Sequence, residues 1–143
     1  MPAGAERILT ADTSVAVPLV VRTHEAHDAV VRWRAGRALS LCGHAWIETY
    51  AVLTRLAGRS RLAGEDAVRV LGANFAAPLA PSPETYAAGP RVLAASGVAG
   101  GATYDGWIAI VALEHMAVLA SRDARAESTY RRLGVDVEMV PAR

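Results

Sequence analysis

Four acids stand where short apolar runs give way to helical sequence: Asp12, Glu48, Asp105 and Asp123. Asp12 follows the run 8–11, and Asp123 follows the run 117–120, past Ser121 and Arg122. Glu48 falls in the first turn or so of a helical pattern over 45–56. Asp105 opens another over 103–116, behind Gly100-Gly101. Singly, each has an ordinary role: Asp12 and Asp123 as helix N-caps, Glu48 and Asp105 as charges near positive helix ends. The set implies more. Asp105 shares a helical face with Ile108, Ala109 and Ala112, and Glu48 shares one with Ala51 and Val52. A carboxylate on an apolar stripe is costly unless something pairs with it, and several carboxylates together raise one another's pKa. A hard divalent cation relieves both costs, and Mg²⁺ and Mn²⁺ prefer oxygen ligands. Such a site supports phosphodiester hydrolysis, because the metal acidifies a bound water and neutralises phosphate charge.

The rest of the inventory narrows the chemistry. All 15 basic residues among the 143 are Arg, and there is neither Lys nor Gln. That removes the P-loop lysine, the Schiff-base lysine and the lysine general base. With 14 acids the formal charge is only +1, so the chain is not a bulk electrostatic polyanion binder. Any nucleic-acid contact must be local, through Arg clusters or a metal. The single cysteine, Cys42, allows no internal disulfide and no Cys-rich zinc site, and its apolar neighbourhood reads as a packed thiol. No apolar run approaches the roughly 20 residues of a membrane span. Glu6 and Asp12 interrupt the region that a signal peptide would keep apolar. A reducing cytoplasm is the expected location.

The elements that must position the acids alternate between strand and helix. Strands are expected at 8–11, 38–42, 78–80, 117–120 and 135–140. The last alternates apolar Val135, Val137 and Met139 with Asp136 and Glu138, as a sheet edge does. Helices are expected at 25–35, 45–56, 64–75, 83–95, 103–116 and 124–133. Residues 15–21, broken by Pro18, suggest a short helix or turn. With no repeat or linker, residues 1–143 read as one domain. This alternation predicts βαβ units and a parallel sheet, whose ligands bind beyond the carboxyl ends of the strands. All four acids fall at that edge.

Other motifs carry less. His24-Glu25-Ala26-His27 is one residue short of the H-E-x-x-H zinc motif and reads as a solvated helix start. His44, four residues before Glu48, can approach the acids, but reads first as a helix N-terminal residue. His115 complements a helix C-terminus. Arg55, Arg59 and Arg61 are candidates for holding RNA phosphates. Trp33, Trp46 and Trp107 are expected to pack rather than to stack on bases. Asp12-Thr13-Ser14 lacks the second Asp and the lysine of an aspartyl phosphotransferase.

Taken in order, Leu9-Thr10-Ala11-Asp12-Thr13-Ser14, Glu48 to Leu56, Gly100-Gly101-Ala102-Thr103-Tyr104-Asp105, Ser121-Arg122-Asp123 and Leu133-Gly134-Val135-Asp136-Val137 resemble a PIN-domain ribonuclease. The resemblance is to the VapC-type toxins of bacterial type II toxin–antitoxin pairs, over nearly the whole chain. It implies a three-layer α/β/α fold, with helices on both faces of a parallel five-stranded sheet. It implies a Mg²⁺- or Mn²⁺-dependent endoribonuclease that cuts cellular RNA and stops translation. Asp12, Glu48 and Asp105 would form the main acidic set and Asp123 the fourth acid, all at the metal. Thr13 or Ser14 would orient ligands or water. A VapB-type antitoxin would lie across the groove, with an Arg among the acids. The toxin would be a homodimer or part of a toxin–antitoxin hetero-oligomer, with no membrane association. Two departures stand out. Gly106-Trp107 replaces the Ala and smaller aliphatic residue expected after Asp105. Ala120-Ser121-Arg122-Asp123 replaces a leucine- and threonine-bearing strand end. The rival reading is a catalytically inactive PIN-fold module that binds a protein partner.

Overall fold

A computed structural model describes residues 6–142. Its centre is a parallel sheet of four strands, ordered β2-β1-β3-β4, where β1 is Leu9–Ala11, β2 Ser40–Leu41, β3 Val118–Ser121 and β4 Asp136–Met139. The helices are α1 (Thr13–Val20), α2 (His27–Arg34), α3 (His44–Arg55), α4 (Gly64–Asn74), α5 (Pro83–Ala95), α6 (Thr103–Glu114) and α7 (Ala124–Leu133). β1 lies between β2 and β3, with Ala11 level with both Leu41 and Ala120. Strands buried on both faces read as unbroken apolar runs, and Ala11, Leu41, Leu119 and Ala120 are fully buried. β4 is the edge strand, with Asp136 exposed, as its alternation predicts.

The expected five strands are four. Residues 78–80 make a single bridge, Leu79 to Cys42, with Leu79 donating to Leu41 O at 2.9 Å and accepting from the Gly43 N–H at 3.2 Å. Pro78 and Pro81 flank that bridge, and a residue without an N–H cannot extend a ladder. Conversely, Pro18 does not break α1, which runs through it with Val15, Ala16, Pro18 and Leu19 buried. Tertiary packing holds this two-turn helix together despite the missing N–H.

The chain leaves β1, β2 and β3 at the same edge of the sheet and enters α1, α3 and α7 there. Strand order also reverses direction between β1 and β3, and that switch point is where open α/β sheets bind ligands. α3 starts from Gly43 at φ +53, a left-handed conformation that favours glycine. On α6, a Cβ at Gly106 would come within 2.6 Å of Leu93 Cδ2 and 3.0 Å of Val98 Cγ1. Glycine there lets α5 and the following loop close onto α6. Its neighbour Trp107 lies over Gly89 and meets Tyr86 edge to face, with centroids 5.8 Å apart. The Gly106-Trp107 departure is therefore a matched packing solution.

Candidate active site

Asp12 is built into the sheet. Its backbone N–H continues the β1–β3 ladder, donating to Ala120 O at 3.1 Å. Its carboxylate is 4% exposed and accepts four hydrogen bonds. Oδ1 receives the Ser14 N–H at 3.0 Å, capping α1, and the Ser14 hydroxyl at 2.5 Å. Oδ2 receives the Ser121 hydroxyl at 2.5 Å and the Tyr130 hydroxyl at 2.7 Å. Burial pushes the Asp12 carboxyl above its usual range, and the Ser121, Ser14 and Tyr130 donors pull it partly back. The same serines hold the loop after β3: the Arg122 N–H donates to Ser14 Oγ at 2.8 Å and the Asp123 N–H to Ser121 Oγ at 3.0 Å. The Tyr130 phenol is raised by burial and by the Asp12 charge beside it.

Asp105 is held differently. It lies in the first turn of α6, above buried Ile108, Ala109 and Ala112, as the stripe predicts. Among the described residues nothing donates a hydrogen bond to its carboxylate and no cation pairs with it. Its pKa is raised, first by burial and then by the charges of Asp12, Asp123 and Glu48; His44 opposes them. The charges of the other three acids therefore reach Asp105. Glu48 accepts from the Thr13 hydroxyl at 2.9 Å and stands 3.7 Å from His44 Nε2. Asp123 caps α7, its Oδ1 accepting the Arg125 and Ala126 N–H groups at 2.9 and 3.4 Å. The cap roles of Asp12 and Asp123 and their place among the acids coexist.

The donor set suits a hard cation in kind: every group is a carboxylate or hydroxyl oxygen, and Asp105 has uncommitted lone pairs. It is not closed into a coordination shell, since among the described residues no three His, Cys, Asp or Glu side chains converge on one ion position. Asp12 is the fixed member and Asp105, Glu48 and Asp123 surround it loosely.

The other expected residues divide. Thr13 and Ser14 both reach the acids, Thr13 through Glu48 and Ser14 through Asp12. His44 approaches as its spacing allows. Arg55, Arg59 and Arg61 do not join the acids: Arg55 ends α3, seven residues past Glu48, about 10 Å along the axis at 1.5 Å per residue. His24 and His27 close local turns, His24 Nδ1 accepting from the Ala26 N–H and His27 Nδ1 meeting Pro18 O. His115 Nε2 meets Ala80 O at 2.7 Å. Cys42 is buried, donates to Ile108 O, and its thiol is pushed up to about 11 by burial, as a packed thiol should be. Trp33, Trp46 and Trp107 pack against the core. Sequence reasoning missed Tyr130, and noticed Ser121 only as a departure. The one signal for Tyr130 is a polar tip on the buried Ala126-Thr129-Tyr130 face of α7.

With the acids gathered at the carboxyl edge of a parallel sheet, this chain belongs to the PIN-domain family: the PIN domain profile matches residues 10–132. Within the family it is similar to Ribonuclease VapC27 of Mycobacterium tuberculosis, at 57% identity over 129 residues, 90% of this chain and 94% of that protein. Its fold matches that of M. tuberculosis VapC20, described as a sarcin–ricin loop cleaving toxin, with a TM-score of 0.65, 14% identity, and coverage of 84% of this chain and 93% of that one. It also matches VapBC2 of Rickettsia felis, solved with a promoter DNA fragment, with a TM-score of 0.64, 12% identity, and coverage of 92% of this chain and 98% of that one.

Proposed function

We propose that this protein is a VapC-type toxin: a Mg²⁺- or Mn²⁺-dependent endoribonuclease neutralised by a VapB-type antitoxin. The observation that carries this reading is Asp105, half-buried in the first turn of α6, without a hydrogen-bond donor or cation among the described residues, and raised first by burial and then by the charges of Asp12, Asp123 and Glu48. The relatives' names as ribonucleases support the activity, and the VapBC2 complex supports the antitoxin. We take residues 1–143 as a single PIN domain. Among the described residues no helix is long and apolar enough to cross a membrane, and a cytoplasmic location follows from an RNA substrate.

Asp12, Glu48, Asp105 and Asp123 would hold the metal, which supplies an acidified water and neutralises charge on the phosphodiester. The protein's own work is positional. Ser14, Ser121 and Tyr130 fix the Asp12 carboxylate and offset part of the rise that burial imposes on its pKa. Thr13 turns Glu48 toward the cleft. Asp105, with its lone pairs free among the described residues, would be open to the metal, and Asp123 is held at the α7 N-terminus by the Arg125 N–H.

Incubation of purified protein with total cellular RNA and Mg²⁺ or Mn²⁺, with cleavage mapped at nucleotide level, tests the reading. The wild type should cut, EDTA should stop it, and Asp12→Asn and Asp105→Asn should be inactive and should not arrest growth. Either variant cutting at the wild-type rate would overturn the site. A wild type that cuts no RNA with either metal would overturn the activity and leave the protein-binding module.

A further inference from the structure

The exposed aromatic side chains among the described residues include Tyr50, Tyr86 and Tyr104. Two have structural settings. Tyr50 runs its hydroxyl against Gly64, where a Cβ would lie 2.7 Å from it, and Tyr86 meets Trp107 edge to face. Tyr104 is 59% exposed, its hydroxyl takes no hydrogen bond among the described residues, and it directly precedes Asp105. Its ring is stacked on His44, with centroids 4.3 Å apart and planes 20° from parallel. His44 is in turn 3.7 Å from Glu48, and its charge acts on Asp105. The stacked pair thus bridges the N-terminal ends of α3 and α6, with Asp105 in the first turn of α6 and Glu48 one turn along α3 from His44. With one face of Tyr104 covered by His44, its exposure belongs to the opposite face and the hydroxyl edge.

We infer that the open face of Tyr104, backed by His44, is a nucleobase subsite: it stacks the unpaired base flanking the phosphodiester presented to the acids. This rests on the nuclease reading above and adds where the base goes. The chemistry is that of single-strand binding. Every base has a π-face, and stacking on an aromatic side chain holds it without reading its hydrogen-bonding edge. Near-neutral net charge makes such a contact more important here, since bulk electrostatics contributes little to holding RNA. A base that must lie flat on Tyr104 cannot remain in a duplex, so cleavage should fall beside unpaired nucleotides.

The test uses a fluorescein-labelled, unstructured single-stranded RNA oligomer, built around the mapped site where the wild type cuts total RNA and of mixed sequence where it does not. Binding is read by anisotropy with Ca²⁺ in place of Mg²⁺, and cleavage by steady-state kinetics with Mg²⁺. Tyr104→Ala should weaken binding and raise KM about 10-fold, the scale of one lost base–aromatic stack, with kcat changed far less. Tyr104→Phe and Tyr104→Trp should restore both. An abasic position at the flanking nucleotide should cost the wild type the same factor and cost Tyr104→Ala nothing further. Thermal melting checks that the variants fold, as expected for a surface position. Unchanged affinity and KM in Tyr104→Ala, or a full abasic penalty persisting in that variant, would overturn the subsite. A wild type that binds the oligomer with this Tyr104 dependence but cuts no RNA would support the subsite and sink the nuclease reading. A wild type that cuts, with Tyr104→Ala unaffected, would sink the subsite alone. One that neither binds nor cuts would sink both.

Discussion

Asp12 and Asp105 are carboxylates of one cleft held in opposite ways. Asp12 is 4% exposed and saturated: a backbone N–H and three hydroxyls, from α1, β3 and α7, occupy both its oxygens. Asp105 is half-buried and bare, and its neighbours among the acids only repel it. The fold satisfies one carboxylate in advance and leaves the other unsatisfied. Saturation fixes geometry, which is what a metal ligand needs to be positioned. The bare group stores unfavourable charge that a cation relieves. A site built wholly like Asp12 would bind a cation with little gain in stability, and one built wholly like Asp105 would lack a fixed point.

The contrast can be broken in order of effect. Asp12→Asn and Asp105→Asn should each reduce RNA cleavage to background, because both remove an anionic ligand; mapped cleavage of total RNA reads this. Tyr130→Phe and Ser121→Ala leave the acid but each removes one of the two donors on its Oδ2. Loss of such a supporting partner typically costs about 10- to 100-fold in metal affinity or activity, to be read as Mn²⁺ affinity by calorimetry alongside kcat. An equal loss from a hydroxyl deletion remote from Asp12, such as Ser128→Ala, would break the claim that Asp12 is the fixed point.

The stability effects should differ in sign. Without metal, Asp12→Asn turns an amide N–H₂ or a single oxygen toward hydroxyl donors and should cost about 1–3 kcal/mol, seen as a lower thermal midpoint. Asp105→Asn removes repulsion and should raise the midpoint slightly. Mg²⁺ should raise the wild-type midpoint and should raise that of Asp105→Asn much less. The Asp105 difference is also pH-dependent. Its folded pKa lies above the unfolded value near 4, so its favourable contribution is complete below that value and is lost as pH rises through the folded one. The advantage of Asp105→Asn over wild type should therefore be present at neutral pH and vanish below about pH 4. Melting curves of the two proteins from acid to neutral pH measure it, and an advantage that grew in acid would show the repulsion to be misassigned.

Much of this was legible beforehand, and unevenly. The helices 45–56, 64–75, 83–95, 103–116 and 124–133 appear within a residue or two of their expected limits, because long periodic patterns and their stop signals are local properties. The acids were legible because each follows a strand or opens a helix at one sheet edge, and Asp105 because it lies on a core stripe. The strand at 78–80 was not, since an apolar triplet cannot reveal that its flanking prolines limit it to one bridge. Ser121 and Tyr130 were hidden for another reason: their partner Asp12 lies 109 and 118 residues away, and no local pattern reports such a pairing. Gly106 looked like a departure until Leu93 and Val98 filled the place of its missing side chain.

That long reach bears on how the protein is made. β1 is synthesised well before β3, yet its central position requires β3, and the aspartate that follows it is completed by hydroxyls from the β3–α7 segment. A nascent chain that stops before Val118 has Asp12, Glu48 and Asp105 but no strand beside β1 on that side and no donors on Oδ2. Contacts of such sequence separation form late in folding. The chain must be made through β3 and α7 before the Asp12 carboxylate has all its donors, so in a protein proposed to attack RNA the acids made first stay unassembled until those segments arrive.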